Sequence, residues 1–210
     1  MPSTKKIRAR LTSVIAEQHM IRVDRVPKFA DRLDGFVVAV GNEWALMAQS
    51  SDGGFLNGYV AFRLCDVKRI NRDKTFATAF AQTQPEWPPA HPYEVGLDST
   101  SHVLEGLGCD GALIGIQKDN ERSGLWIGRL DELRKRVVYL HEVRPDANWH
   151  QAPLGYKLKA ITTVEVATHY LQGLAAIAGT GPDTKSVFTL NLKSNRVEFR
   201  IGSTPPAKAN

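Results

Sequence analysis

The first chemistry that this sequence offers is positive charge near its N-terminus. Residues 1–30 hold seven lysine and arginine side chains against two acidic ones, a balance of +5 that equals the net charge of the 210-residue chain. A basic segment binds polyanions by releasing their counterions, which gives affinity without sequence recognition. The candidate phosphate ligands of this segment, the basic arm, are Lys5, Lys6, Arg8 and Arg10. A solubilising terminus is the alternative interpretation.

Patterns for catalysis or metal binding are weak. His141-Glu142 opens like the helix of a zinc protease, but Pro145 stands where the second histidine is required. His102 precedes Cys109 by seven residues, which is weak support for a catalytic pair. Paired carboxylates and a nucleophile with a positioned base are not recognisable. We therefore predict a protein that is not an enzyme and has no cofactor or metal. A hydrolase that uses His102 or His141 is the contrary hypothesis.

Most of the chain has the two-residue period of β-strands. Between residues 112 and 167, Leu125 with Ile127 and Val138 with Leu140 alternate with more polar neighbours. This pattern predicts strands that bury one face. In the first half of the chain, the turn dipeptide Gly41-Asn42 predicts a hairpin between residues 35–40 and 43–49. We predict a mainly β fold.

Segments of the first half recur in the second half in the same order. Residues 32–36 match 121–125, residues 44–48 match 137–141, and residues 66–70 match 160–164. A chance alignment of two β meanders is the alternative, but the shared order favours a true repeat. We predict two tandem copies of a small, bent, five-stranded antiparallel barrel, each with a short helix.

Each copy resembles the Sm-like (LSm) fold, a five-stranded bent barrel known for RNA binding and ring assembly. The family's second motif ends the fourth strand with Arg-Gly and continues through Asn to two aliphatic residues. The positions that match it are Arg63, Leu64, Cys65, Asp66, Val67 and Ile70 in the first copy, and Lys157, Leu158, Lys159, Ala160, Ile161 and Val164 in the second. Leucine replaces the motif's glycine in both copies, and the first motif's Asp and Asn loop has no counterpart. The resemblance implies contact with RNA through Arg63 and Lys157.

The remaining segments complete the expected organisation. Residues 1–82 are expected to form the N-terminal Sm-like domain with its basic arm, of which residues 1–10 are disordered. A Pro-rich linker and a short helix that Ser99 or Ser101 caps follow over residues 83–106. The second Sm-like domain covers residues 107–182 and ends in a helix with Tyr170, Leu174 and Ile177 on one face. Residues 183–210 are expected to form a C-terminal hairpin with one apolar face and a disordered tail.

Cysteine content and hydropathy indicate the compartment. Two cysteines, Cys65 and Cys109, fit a reducing environment better than a disulfide framework. The longest apolar runs are too short to span a membrane, and the N-terminus lacks the uninterrupted apolar core of a secretion signal. We expect a cytoplasmic protein with no membrane partner.

The function that the resemblance implies is a non-enzymatic binding module. Its partner would be RNA or another nucleic acid, held by non-specific phosphate contacts from the basic arm, Arg63 and Lys157. The alternative is a protein–protein interaction or oligomeric scaffold without nucleic-acid binding. Sm-like proteins pair their exposed edge strands into rings, so we also expect a homo-oligomer or a protein partner. A monomer whose C-terminal hairpin covers the edge is the other possibility.

Overall fold

The computed structural model describes residues 3–89 and 95–182, in which one antiparallel sheet of ten strands is accompanied by four α-helices. The prediction of a mainly β fold is confirmed. The strands are β1 (Ile21–Arg25), β2 (Leu33–Val40), β3 (Trp44–Ser50), β4 (Leu56–Arg63), β5 (Val67–Arg72), β6 (Leu113–Gln117), β7 (Leu125–Arg134), β8 (Val137–Glu142), β9 (Leu154–Lys157) and β10 (Thr163–Val166). The helices are α1 (Thr4–Glu17), α2 (Ala77–Ala81), α3 (Thr100–Leu107) and α4 (His169–Ala178).

The strand order of the sheet repeats between its two halves. The full order is β5-β1-β2-β3-β4-β10-β6-β7-β8-β9, so the fifth strand of each half lies beside its first strand, and the second, third and fourth follow. The halves join where β4 pairs with β10, over four residue pairs from Phe62 with Thr163 to Tyr59 with Val166. We call this junction the seam. The strands of both halves therefore form one continuous sheet.

Local sequence signals place the turns and one helix cap as expected. Gly41 and Asn42 connect β2 to β3, and the Gly41 backbone N–H donates to the Trp44 carbonyl over 2.9 Å. Ser99 caps α3, because its hydroxyl accepts a hydrogen bond from the His102 backbone N–H over 3.2 Å. The hairpin and the cap are both confirmed.

Two apolar clusters form most of the core, and β4 contributes to both. Val60 and Phe62 face the cluster of the first half, whereas Ala61 faces a second cluster to which both halves contribute. All three side chains are fully buried. Burying a side chain such as Phe62 stabilises a fold by about 1.5–3 kcal/mol. Since one strand serves both clusters, the two halves are packed together as well as hydrogen-bonded.

The N-terminal segment is a helix, and the expectation of disorder through residue 10 is wrong for residues 4–10. Ile7, Leu11 and Val14 recur at helical spacing and are buried against the core of the first half. The Ser3 hydroxyl caps the helix by accepting from the Lys6 backbone N–H over 3.4 Å. The basic arm is therefore an ordered surface of α1.

The last helix forms as expected, but Tyr170 and Ile177 are not buried together with Leu174. Leu171 and Leu174 are buried on α4, whereas Tyr170 and Ile177 are 54% and 79% exposed. The reason is that α4 packs against β6 and β7 through Leu171 and Leu174. The strands contribute Leu113 and Ile127 to this contact. The predicted C-terminal hairpin and tail lie outside the described residues. None of the described helices is long and apolar enough to cross a membrane.

Candidate anion-binding site

An open pocket with a basic rim lies at the tip of the β7–β8 hairpin. Its volume is about 660 Å³, which falls within the range of ligand-binding clefts. We call it the basic pocket. Its lining residues are Lys135, Arg136, Val137, Lys157, Leu158 and Lys159. Four of these six side chains are cationic, and none is acidic.

Strand pairing holds the two segments of the pocket side by side. Val137, the first residue of β8, pairs with Lys157, the last residue of β9. The Leu158 backbone N–H then donates to the Arg136 carbonyl over 3.0 Å. Residues 158–160 form one 3₁₀ turn, which starts immediately after β9. The pocket is therefore built on the regular backbone of the sheet.

The charges of the pocket are exposed, and one of them has a carboxylate nearby. The pKa of Glu121 is lowered mainly by its hydrogen bond from Lys118 and further by the charge of Lys157. All four cationic side chains are exposed to solvent. Within residues 3–89 and 95–182, none of them forms a salt bridge. Val137 and the buried Leu158 supply an apolar floor. A phosphate group on the cationic rim, with an apolar or aromatic group against the floor, satisfies both parts of this surface.

Arg63, which the motif comparison singled out, supports the pocket from across the seam. Its guanidinium donates to the Leu158 carbonyl over 2.8 Å and to the Lys159 carbonyl over 3.0 Å. It also donates to the Thr100 hydroxyl over 3.3 Å and lies 5.4 Å from the ring centre of Trp44. The structure thus brings Arg63 to the same turn as Lys157. The donors of Arg63 hold the backbone of the pocket wall, and its charge adds to the field at the rim.

The basic arm lies on the first half of the protein. Helix α1 packs on β2 and on the 3₁₀ turn Leu64–Asp66. Arg8 donates to the Asn42 side-chain oxygen over 2.5 Å, and Arg10 contacts Glu17 at 3.4 Å. Lys5 and Lys6 are exposed. Asn42 lies in the β2–β3 turn, which corresponds in the repeat to the Lys135-Arg136 turn. The arm therefore lies beside the β2–β3 turn of the first half.

The described histidines and cysteines were the candidates for a catalytic or metal-binding group. Among the described residues, no cluster of three or more His, Cys, Asp or Glu side chains could hold a metal ion. A ring nitrogen of His141 lies 2.7 Å from the His150 carbonyl, so backbone occupies it. Burial raises the pKa of Cys65 and of Cys109, and the neighbouring aspartate adds to each shift. A raised pKa lowers the thiolate fraction that a nucleophilic cysteine needs.

Three of the four tryptophans, side chains that could stack on bases, are held by contacts within the protein. Trp44 is fully buried, as expected for core packing. Trp87 and Trp149 are partly buried. Trp87 packs edge-on against Phe36 at 4.9 Å between ring centres, and the Trp149 ring N–H donates to the Ala178 carbonyl over 3.0 Å.

Sequence reasoning missed three of the four rim cations. From the sequence, Lys159 is named only as a motif position, and neither Lys135 nor Arg136 is singled out. The available signal was two basic pairs, Lys135 with Arg136 and Lys157 with Lys159, at adjacent hairpin ends. It becomes visible only when the β8–β9 pairing is known.

No family model, no curated protein and no solved structure matches this chain.

Proposed function

We propose that the chain is a tandem of two Sm-like units. The shared strand order of the two halves supports this proposal. So does the element sequence, because a helix precedes the first strand of each half, α1 in one and α3 in the other. A one-turn 3₁₀ helix also connects the fourth strand to the fifth in both halves, at Leu64–Asp66 and Leu158–Ala160. Three independent features thus recur in the same order.

The function that we propose is non-enzymatic binding of single-stranded nucleic acid through its phosphates. The observation that carries it is the basic pocket, where four exposed cations that form no salt bridge within the described residues surround an apolar floor. Phosphate contacts give affinity that is independent of sequence and falls steeply with salt. The floor offers no polar side chain that could distinguish one base from another. We therefore expect binding with little base preference.

A salt titration tests this function. A fluorescent single-stranded RNA is titrated with the protein, and the logarithm of the affinity is plotted against the logarithm of the salt concentration. The double variant Lys157→Ala/Lys159→Ala should bind more weakly at low salt. For single strands each phosphate contact contributes about 0.7 to the slope, so losing two contacts should flatten it by about 1.4.

The matched control removes the same number of positive charges from surface outside the basic pocket. The Lys28→Ala/Lys74→Ala variant deletes two exposed lysines outside the basic pocket. It should bind nearly as the unmodified chain does, because it keeps the rim intact. Equal losses in both variants would mean that only net charge matters. Absence of binding by the unmodified chain at low salt would remove the nucleic-acid function.

An oligomeric scaffold is the second candidate function, and the sheet edges favour it. Strand β5 pairs only with β1, and β9 pairs only with β8, so each has a free edge within the described residues. Free strand edges are ready-made pairing surfaces. Light scattering of the purified chain separates a monomer from an assembly.

A cytoplasmic location is part of the proposal. Cys65 and Cys109 are both free thiols in the structure, which supports a reducing compartment.

A further inference from the structure

Helix α4 is apolar over more of its circumference than its contact with the sheet covers. Leu171 and Leu174 are buried against β6 and β7, whereas Tyr170, Gly173 and Ile177 are exposed. Because successive residues of a helix are about 100° apart, these three exposed residues form one stripe directly beside Leu174. We call Tyr170, Gly173 and Ile177 the outer stripe. The apolar surface of α4 thus continues from the core of the protein onto its outside.

The outer stripe differs from an ordinary solvent-facing helix surface. The sequence of α4, residues 169–178, contains no lysine, arginine, aspartate or glutamate. A helix that packs one face on a sheet usually presents charged and polar side chains to solvent. At Gly173, no atom of the described structure lies within 4 Å of the position that a Cβ would take. The outer stripe therefore has the character of a surface that a further apolar element covers.

The path of the chain after α4 starts beside the outer stripe. Gly181 lies against Trp149, since a Cβ added at Gly181 would lie 2.8 Å from the Trp149 ring. The Trp149 ring N–H also donates to the carbonyl of Ala178, the last residue of α4. The chain therefore leaves the described structure at the carboxyl end of α4, where Ile177 lies.

The sequence that follows supplies apolar side chains in a matching pattern. Residues 188–192 and 197–201, which lie outside the described residues, alternate apolar with polar or charged side chains. Their apolar members are Phe188, Leu190, Leu192, Val197, Phe199 and Ile201. Five extended residues span about 17 Å, close to the length of about 15 Å of the ten-residue helix α4. Two such segments need a helix or further strands to pack on before they are stable.

We propose that residues 188–201 of the same chain dock on the outer stripe, with their apolar side chains against Tyr170 and Ile177. The segment starts ten residues after α4 ends. Ten extended residues reach about 33 Å, so the segment can cover the full length of α4. The polar side chains that alternate with the apolar ones then face solvent. This contact is separate from the basic pocket and does not depend on nucleic-acid binding.

Hydrogen–deuterium exchange of the full chain, read by mass spectrometry, tests this docking. Peptides from residues 188–201 should exchange about tenfold or more slowly than the same peptides in the urea-unfolded chain. Ile177→Glu places a charge in the outer stripe that docking would have to desolvate. This variant should lose the protection of residues 188–201, while β6 and β7 keep theirs. Exchange of residues 188–201 at the unfolded rate in the unmodified chain would overturn the inference.

Two matched variants place the same charge elsewhere on the surface. Gln172→Glu adds it to an exposed position of α4 that lies about 140° around the helix from Ile177. Phe76→Glu adds it at an aromatic side chain of the first half that is 70% exposed. Both should keep the protection of residues 188–201. Protection that survives Ile177→Glu means that the segment lies elsewhere, for example on a free strand edge, and contradicts the proposal. So does protection that disappears on dilution, because a second copy then supplies the segment.

Discussion

Glu165, which pairs with Val60 within the seam, makes stability depend on pH. Burial raises the pKa of its carboxyl from 4.5 to about 7, against the opposing charge of Arg25. The carboxylates of Asp119 and Asp31 add to the rise because they repel a third negative charge. The folded protein therefore holds a proton at Glu165 that the unfolded chain releases at a lower pH.

The sign and size of the effect follow from this difference in pKa. Below pH 4.5 the carboxyl is protonated in both states, and its contribution to stability is fully present. Stability then falls as the pH rises to about 7, where the folded protein also loses the proton. At about 1.4 kcal/mol per pH unit, this interval gives a ceiling of about 3 kcal/mol. Because Glu165 keeps some contact with solvent, we expect about half of that ceiling.

Urea denaturation of Glu165→Gln against the unmodified chain measures the effect. Glutamine keeps the shape of the protonated acid and cannot ionise. The variant should gain about 1–2 kcal/mol at pH 8, and this gain should vanish near pH 4.5.

The control for this experiment is Glu121→Gln. The pKa of Glu121 is lowered by its hydrogen bond from Lys118, so this substitution should weaken the fold slightly at pH 8. Equal stability of Glu165→Gln and the unmodified chain at pH 8 would refute the reasoning. So would a gain that does not change with pH.

Two further predictions concern the contacts across the seam. Arg25→Met leaves the buried Asp119 carboxylate without its cation, so urea denaturation at pH 7 should show a loss of about 3–5 kcal/mol. A loss below 1 kcal/mol would mean that water reaches the site. Arg63→Lys keeps the charge but cannot hold the Leu158 and Lys159 carbonyls together; the same assay should show a loss of about 1–3 kcal/mol. An unchanged midpoint would contradict the structural role of Arg63.

The sequence predicted local features whose causes are local. The Gly41-Asn42 hairpin and the Ser99 cap depend on residues within a few positions of each other, and both are found. Helix α1 was missed because its cations suggested a disordered arm, although Ile7 and Leu11 already had helical spacing.

Long-range features were not accessible from one sequence. Arg25 and Asp119 are 94 positions apart, and nothing in the local pattern of either residue indicates the other. The basic pocket also depends on long-range contacts, because Lys135 and Lys159 become neighbours only through the pairing of β8 with β9.

The most direct test of the central claim is a lysine-acetylation footprint, read by mass spectrometry with and without a single-stranded RNA. Lys135, Lys157 and Lys159 are exposed in the free protein and should react readily. Bound RNA should protect these three lysines of the basic pocket, while Lys28 and Lys74 keep their reactivity. Equal protection of all five lysines, or protection that spares Lys157 and Lys159, would contradict phosphate binding at the basic pocket.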